Sequence, residues 1–356
     1  MKDLKNEYST MIDFSKAELG ELAVHWVGNK LRDEKFKTFH ELADVEEDDT
    51  SEHLLKYFLN PFKSSETYQF HHQTDLNLNE LYAYSKRIFR DKDSFLDFSV
   101  EIAKHLYEHS THPKISGGEL CVCLFSNVNY DNKKISALGI FKSENKEVFL
   151  KFQNKKDRFK ISYDDGVSSE KLEKGCLILN VEKEDGYKVF IVDTKKNVDA
   201  QYWKDHFLKL KPASDDFNHT KTFLSVTKDF VTTKMPDEFD VTKTDQIDLL
   251  NRSITYFKEH DSFDKKEFEN EVLQDKGVIN SFRKFDKEYR NENSLSELGE
   301  FDISDQAVKK QSRIFKSVLK LDKNFHIYIH GDKELIEKGT EKDGRKYYKI
   351  YYSEES

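Results

Sequence analysis

Cysteine is scarce in this 356-residue chain, which holds only Cys121, Cys123 and Cys176. Three thiols are too few, and too odd in number, for a disulfide framework, and they sit in apolar runs rather than in paired CxxC clusters. A reducing cytoplasm is therefore the expected compartment. Nowhere do eighteen apolar residues follow one another, and no signal-type apolar stretch opens the chain, so neither a membrane span nor secretion is expected. The polar leader over residues 1–10 is expected to fray. Walker, GxGxxG, GxSxG, HExxH and EF-hand patterns are absent as well, which removes the commonest motif-bearing enzymes, though not enzymes as a class. Net positive charge is also lacking. Lys and Arg number 58 against 67 Asp and Glu, a formal charge of -9, whereas polyanion binders usually carry a basic footprint.

What is present is charge and aromatic side chains. Charged residues make up 35% of the chain, yet 28 Phe and 17 Tyr supply ample core material despite a mean hydropathy of -0.80, so global disorder is not expected. Leu19 to Val27 reads as a strand closed by Gly28-Asn29, and the acidic run from Asp44 to Asp49 as a solvated loop. Helices are expected to about residue 110: Thr50 or Ser51 caps the first, Leu78, Leu81, Tyr82, Ile88 and Phe89 mark one face, and Phe95, Ile102 and Leu106 another.

From Gly117-Gly118 the period changes to two. GELCVCLFSNV, KISALGIFK, EVFLKFQ, RFKISYDDG, GCLILNVEK and YKVFIVD are short β-rich runs between turn residues, the pattern of an antiparallel meander or curled sheet. Helical periodicity returns near Ala200, with Trp203, Phe207 and Leu210 on one segment, then Phe223, Val226, Phe230 and Val231 on the next. Ile247, Leu250, Ile254 and Phe257 follow behind a Thr242 or Thr244 cap, Asp264 to Glu267 resembles a capping box, and Val278, Phe282, Phe285 and Tyr289 continue the α pattern. Residues 291–305 read as a polar linker.

The best functional clue is the stretch from Val308 to Ile350. From Lys309 to Lys349 twelve Lys or Arg stand against six Asp or Glu, so the chain's acidity lies elsewhere. Lysines on edge strands and exposed helix faces also serve solubility alone. Density combined with aromatics favours phosphate contact, and Tyr347, Tyr348, Tyr351 and Tyr352 are placed to pack against a nucleic-acid backbone. Turns are expected at Gly331, Gly339 and Gly344. A second basic cluster, Lys155, Lys156, Arg158 and Lys160, lies in the β region.

Other constellations are weaker. His71-His72 and the His326/His330 pair lack a spaced third ligand, and His105, His109 and His112 fall near a helix C-terminus, where the dipole suffices to explain them. Cys121 and Cys123 share a strand face but do not make a tetrahedral set, so core packing is the expected role. Asp164-Asp165 and Asp215-Asp216 are the carboxylate pairs that a metal-dependent nuclease would use, without an adjacent E-x-K signature.

Taken in order, HWVGNKLRDE, LLKYFLNPFKSS, SFLDFSVEIAKHLYEHSTHPKISGGELCVCLF, ALGIFKSENK, GCLILNVEKEDGYKVFIVD, AQYWKDHFLKLKP, TDQIDLLNRSITYFK and VKKQSRIFKSVLKLDKNFHIYIHGDKELIEKG resemble the bacterial nucleoid-associated protein family of the NdpA/YejK type, in a form like those of Bacteroidetes. The resemblance covers about Phe14 to Tyr352 and rests on the order of many segments. It implies a cytoplasmic, nucleoid-associated, non-enzymatic protein that binds double-stranded DNA with little sequence preference, and it brings no catalytic residue, metal or cofactor. The expected fold is α+β: an N-terminal strand and helical region (1–115), an antiparallel β region (116–198), a helical region (199–295) and a basic β-containing C-terminal segment (296–356). Electrostatics assigns phosphate contact to Lys309, Lys310, Arg313, Lys316, Lys320, Arg345, Lys346 and Lys349. An adaptor that docks a DNA-processing protein through an acidic surface and Phe-rich helices is the alternative, a nuclease a further one, and a homodimer is compatible with either.

Overall fold

A computed structural model describes residues 12–45, 48–62, 66–194, 202–293, 295, 297–315, 318–329 and 333–354. The leader over residues 1–10 lies outside them. The fold is α+β, in two compact units that divide after Ala213.

The first unit is built on an antiparallel sheet. Its long members are β2 (Glu18–Val27), β5 (Gly118–Tyr130), β6 (Lys133–Ser143), β9 (Lys174–Leu179) and β10 (Lys188–Asp193). Short strands complete it: β1 (Ile12–Asp13), β3 (Phe36–Lys37), β4 (Tyr68–Phe70) and β11 (Leu210–Pro212). The order is β11-β4-β10-β9-β6-β5-β2-β3, with β1 on β5. The meander thus steps from β6 directly to β9, because β7 (Glu147–Lys155) and β8 (Arg158–Gly166) pair only with each other. Leu210, expected on a helix with Trp203, instead follows a π-helical turn over Tyr202–Phe207 and opens the edge strand β11. Pro212 ends that strand, at an edge where a missing N–H is tolerated.

Period-two alternation gives this sheet two apolar faces. On one, Val122, Ile140 and Ile178 pack beneath α2 (Glu80–Arg90) and α3 (Phe95–His109), with Trp203 and Phe207. On the other, Phe125, Phe141 and Leu177 meet Phe58 and Phe62 from and just after α1 (Asp48–Leu59). Phe58 stacks on Phe141 at 4.4 Å between ring centroids. Since α1 begins at Asp48, Thr50 and Ser51 lie inside the helix rather than at its cap. Cys123 and Cys176 are buried in opposite faces and burial pushes all three thiols up, Cys121 to about 12, so they serve packing.

His25 sits wholly inside this unit as a satisfied neutral imidazole. Its Nδ1 accepts from the Phe39 amide at 3.2 Å and its Nε2 lies 3.0 Å from Ser99 Oγ. Burial lowers its pKa from 6.5 to about 4, and burial with His109 alongside does the same for His105. The unfolded chain therefore takes up protons that the folded chain refuses. Stability fully present above about pH 6.5 is lost as pH falls toward 4. Melting temperature should drop between pH 7 and pH 5, and His25→Gln should flatten that slope; a slope unchanged by the substitution would remove His25 from the account.

The second unit packs phenylalanines between helices. α4 (Asp216–Asp229) runs through a π turn at Phe230–Lys234 into a last turn at Met235–Glu238, so Pro236 is carried inside the final turn. α5 (Lys243–Glu259) opens with a full capping box between Thr242 and Asp245, and α6 (Lys276–Glu292) is capped by Asp275. Phe223 is the hub: its ring lies 4.3 Å from Phe263, 5.0 Å from Phe268 and 5.7 Å from Phe282. β12 (Ser262–Phe263) pairs at its edge with β13 (Phe301–Asp302), which lies in the stretch 291–305 that reads as linker. Among the described residues no helix is long and apolar enough to cross a membrane.

Candidate nucleic-acid interface

The basic stretch begins on α7 (Asp305–Ser312), capped by Ser304. Ala307, Val308 and Gln311 are buried and Phe315 follows them into the core, which fixes the helix's rotation. The 3.6-residue period then turns Lys309, Lys310 and Arg313 outward together, all exposed. Lys310 Nζ also lies 5.7 Å from the Phe217 ring centroid. Lys316 lies outside the described residues.

Two hairpins follow: β14 (Val318–Leu321) with β15 (Phe325–Tyr328), and β16 (Ile336–Thr340) with β17 (Lys346–Ile350). Leu319 and Ile329 pack on Ile247 of α5, with Ile336 and Tyr348 against the same cluster. Asn251 of α5 donates to the Ile329 carbonyl at 3.3 Å. Lys320, opposite His326, stands on the outward face of the first hairpin. His330 lies outside the described residues, as does Gly331.

The terminal hairpin does not gather its cations on one side. Lys346 is opposite Thr340 and Lys349 opposite Glu337, and odd spacing sets them on opposite faces. Arg345 Nε is 2.7 Å from Asp343 and Lys349 Nζ 3.7 Å from Glu337, with Lys349 also 4.7 Å from the Tyr351 ring centroid. Such exposed pairs are weak enough for a phosphate to displace. Gly339, expected in a turn, lies within β16, where Tyr347 crosses it so closely that a Cβ would sit 2.3 Å from the ring. Gly344, with φ +89, does make the turn.

Lys155, Lys156, Arg158 and Lys160 cluster at the tip of the β7–β8 ribbon, all exposed. Asp164 and Asp165, at its base, oppose Phe149 and Val148 and so point to opposite faces, and Asp164 is paired with Lys151 at 2.6 Å. They do not converge on one cation. Asp215 is spent as the cap of α4, accepting from the Asn218 amide, while burial, with Asp302 nearby, raises the Asp216 carboxyl. Phe223, Phe257 and Phe282 of the α4–α6 helices face one another in the core.

Among the described residues the group with a donor set for a divalent cation is His260, Glu267 and Glu271, whose ligand atoms lie within 4.8 Å of one another. His260 Nδ1 donates to the Tyr256 carbonyl at 3.0 Å, which turns Nε2 toward Glu267 and Glu271 at 3.8 Å and 3.7 Å, and Tyr256 Oη donates to Glu267 at 3.0 Å. Sequence reading passed over these three, since only the i, i+4 spacing of the glutamates signals them.

A family model described as nucleoid-associated protein YejK matches residues 24–345. No curated protein matches the chain.

Proposed function

The chain belongs to the nucleoid-associated protein YejK family, and from that premise we propose that it binds double-stranded DNA with little sequence preference and without catalysis. Phosphates are met first by Lys309, Lys310 and Arg313 on the outward face of α7, and then by Lys316, Lys320, Arg345, Lys346 and Lys349. The observation that carries this reading is the shared outward direction of three cations on one short helix whose other face is locked into the core. Lys and Arg at phosphates release condensed counterions, and contacts to phosphate alone carry no base readout. The acidic remainder of the chain repels DNA elsewhere and so orients the approach.

The test is fluorescence anisotropy on two duplexes of unrelated sequence across a salt series. The logarithm of affinity should fall linearly with the logarithm of salt, by about 0.9 per phosphate neutralised, with one slope for both duplexes. Binding indifferent to salt would overturn the reading, as would a strong preference for one duplex.

A further inference from the structure

The β7–β8 ribbon has an apolar face that no described part of the chain covers. The register opposes Leu150 to Tyr163 and Phe152 to Ile161, with Val148 and Phe159 on the same side. These six side chains are 62% to 73% exposed, and none joins a hydrophobic cluster. The other face is mostly charged, with Phe149 lying over Gly166. A lone two-stranded ribbon is marginal in water, and an exposed apolar patch of this extent marks an interaction site.

We propose that this face packs against the same face of a second copy of the chain, the two ribbons lying head to tail about a two-fold axis. The area suits it: six such side chains offer roughly 700 Å² per copy, about 1,400 Å² in total, within the range of specific interfaces. Charge fixes the direction. The one charged residue of this face, Asp165, lies at the base, while Glu147, Asp164, Lys155, Arg158 and Lys160 point to the other face. Head-to-tail packing sets each Asp165 over the partner's tip at Asn154, while the parallel arrangement sets it on the partner's Asp165. A two-fold contact of one patch with itself also closes, so association stops at two copies. DNA is a poor occupant, since the only charged residue of this face is the acidic Asp165. The inference does not rest on DNA binding and stands or falls separately from it.

The test uses the full chain in sedimentation equilibrium. The wild type should show a two-copy mass at micromolar concentration, and Leu150→Arg with Ile161→Arg should show a single-copy mass with an unchanged circular dichroism spectrum, because the ribbon adds nothing to either core. Asn154→Lys, which head-to-tail packing sets over the partner's Asp165, should self-associate more tightly than wild type, and Asn154→Glu about tenfold or more weakly. A single-copy wild type overturns the proposal, as does a dimer that persists in the Leu150→Arg, Ile161→Arg chain. Weaker self-association of Asn154→Lys overturns the head-to-tail arrangement, and a single-copy wild type that binds anionic vesicles would give the face to a membrane instead.

Discussion

Alanine at Lys309, Lys310 and Arg313 together is expected to weaken duplex-DNA binding on the order of a hundredfold at 0.1 M salt, and to reduce the salt slope by up to about 2.7, three contacts at about 0.9 each. The loss should be the same on every sequence, because phosphate contacts position without specifying. The fold should survive. These side chains point away from the core that Val308, Gln311 and Phe315 make, and alanine is the best helix former. What is forfeited locally includes the favourable interaction of cations with the helix C-terminus, worth about 0.3–1 kcal/mol at an exposed site, and the contact of Lys310 with the Phe217 ring. Alanine at Arg345 and Lys349 should cost less affinity, since two phosphate contacts are removed rather than three. An unchanged slope in the triple variant would take the contact off α7 and direct attention to the ribbon tip at Lys155, Lys156, Arg158 and Lys160.

Much of this fold is legible in the sequence. The six β-rich runs from Gly118 to Asp193 are all strands, and Thr242 and Asp264 cap helical turns as their spacing suggests. Legibility fails where a strand is too short to show a period: Tyr68–Phe70 and Leu210–Pro212 exist as strands because a neighbouring edge pairs with them, not through their own pattern. It fails differently in the ribbon. The alternation of EVFLKFQ announces an apolar face but is silent on what covers it, and the same letters would serve a strand buried in a sheet. The candidate site shows a third limit. Charge density between Lys309 and Lys349 is visible by counting, but Lys346 and Lys349 separate onto opposite faces only once the register is known.

Asp193→Ala is expected to destabilise the first unit by about 3–5 kcal/mol, the cost of leaving a buried charge without its partner. Lys174 on β9 faces Asp193 across the sheet on β10, its Nζ 3.0 Å and 3.1 Å from the two carboxylate oxygens. The lysine is only 1% exposed. Its remaining described partner is the Tyr202 ring, 5.2 Å away, and a cation–π contact of about 0.5–2 kcal/mol replaces little of a carboxylate. The neighbouring Trp203 donates to the Gly175 carbonyl at 3.3 Å. The pair thus fastens the Tyr202–Phe207 turn to the end of the sheet, on the side where β11 returns to the edge. Changing both partners, Lys174→Met with Asp193→Leu, should recover most of the loss, since an apolar pair of similar volume asks for no compensation. Denaturant unfolding of the three chains decides it: a single variant within about 1 kcal/mol of wild type would mean that the ammonium finds solvent or another acceptor, and that the pair holds nothing in place.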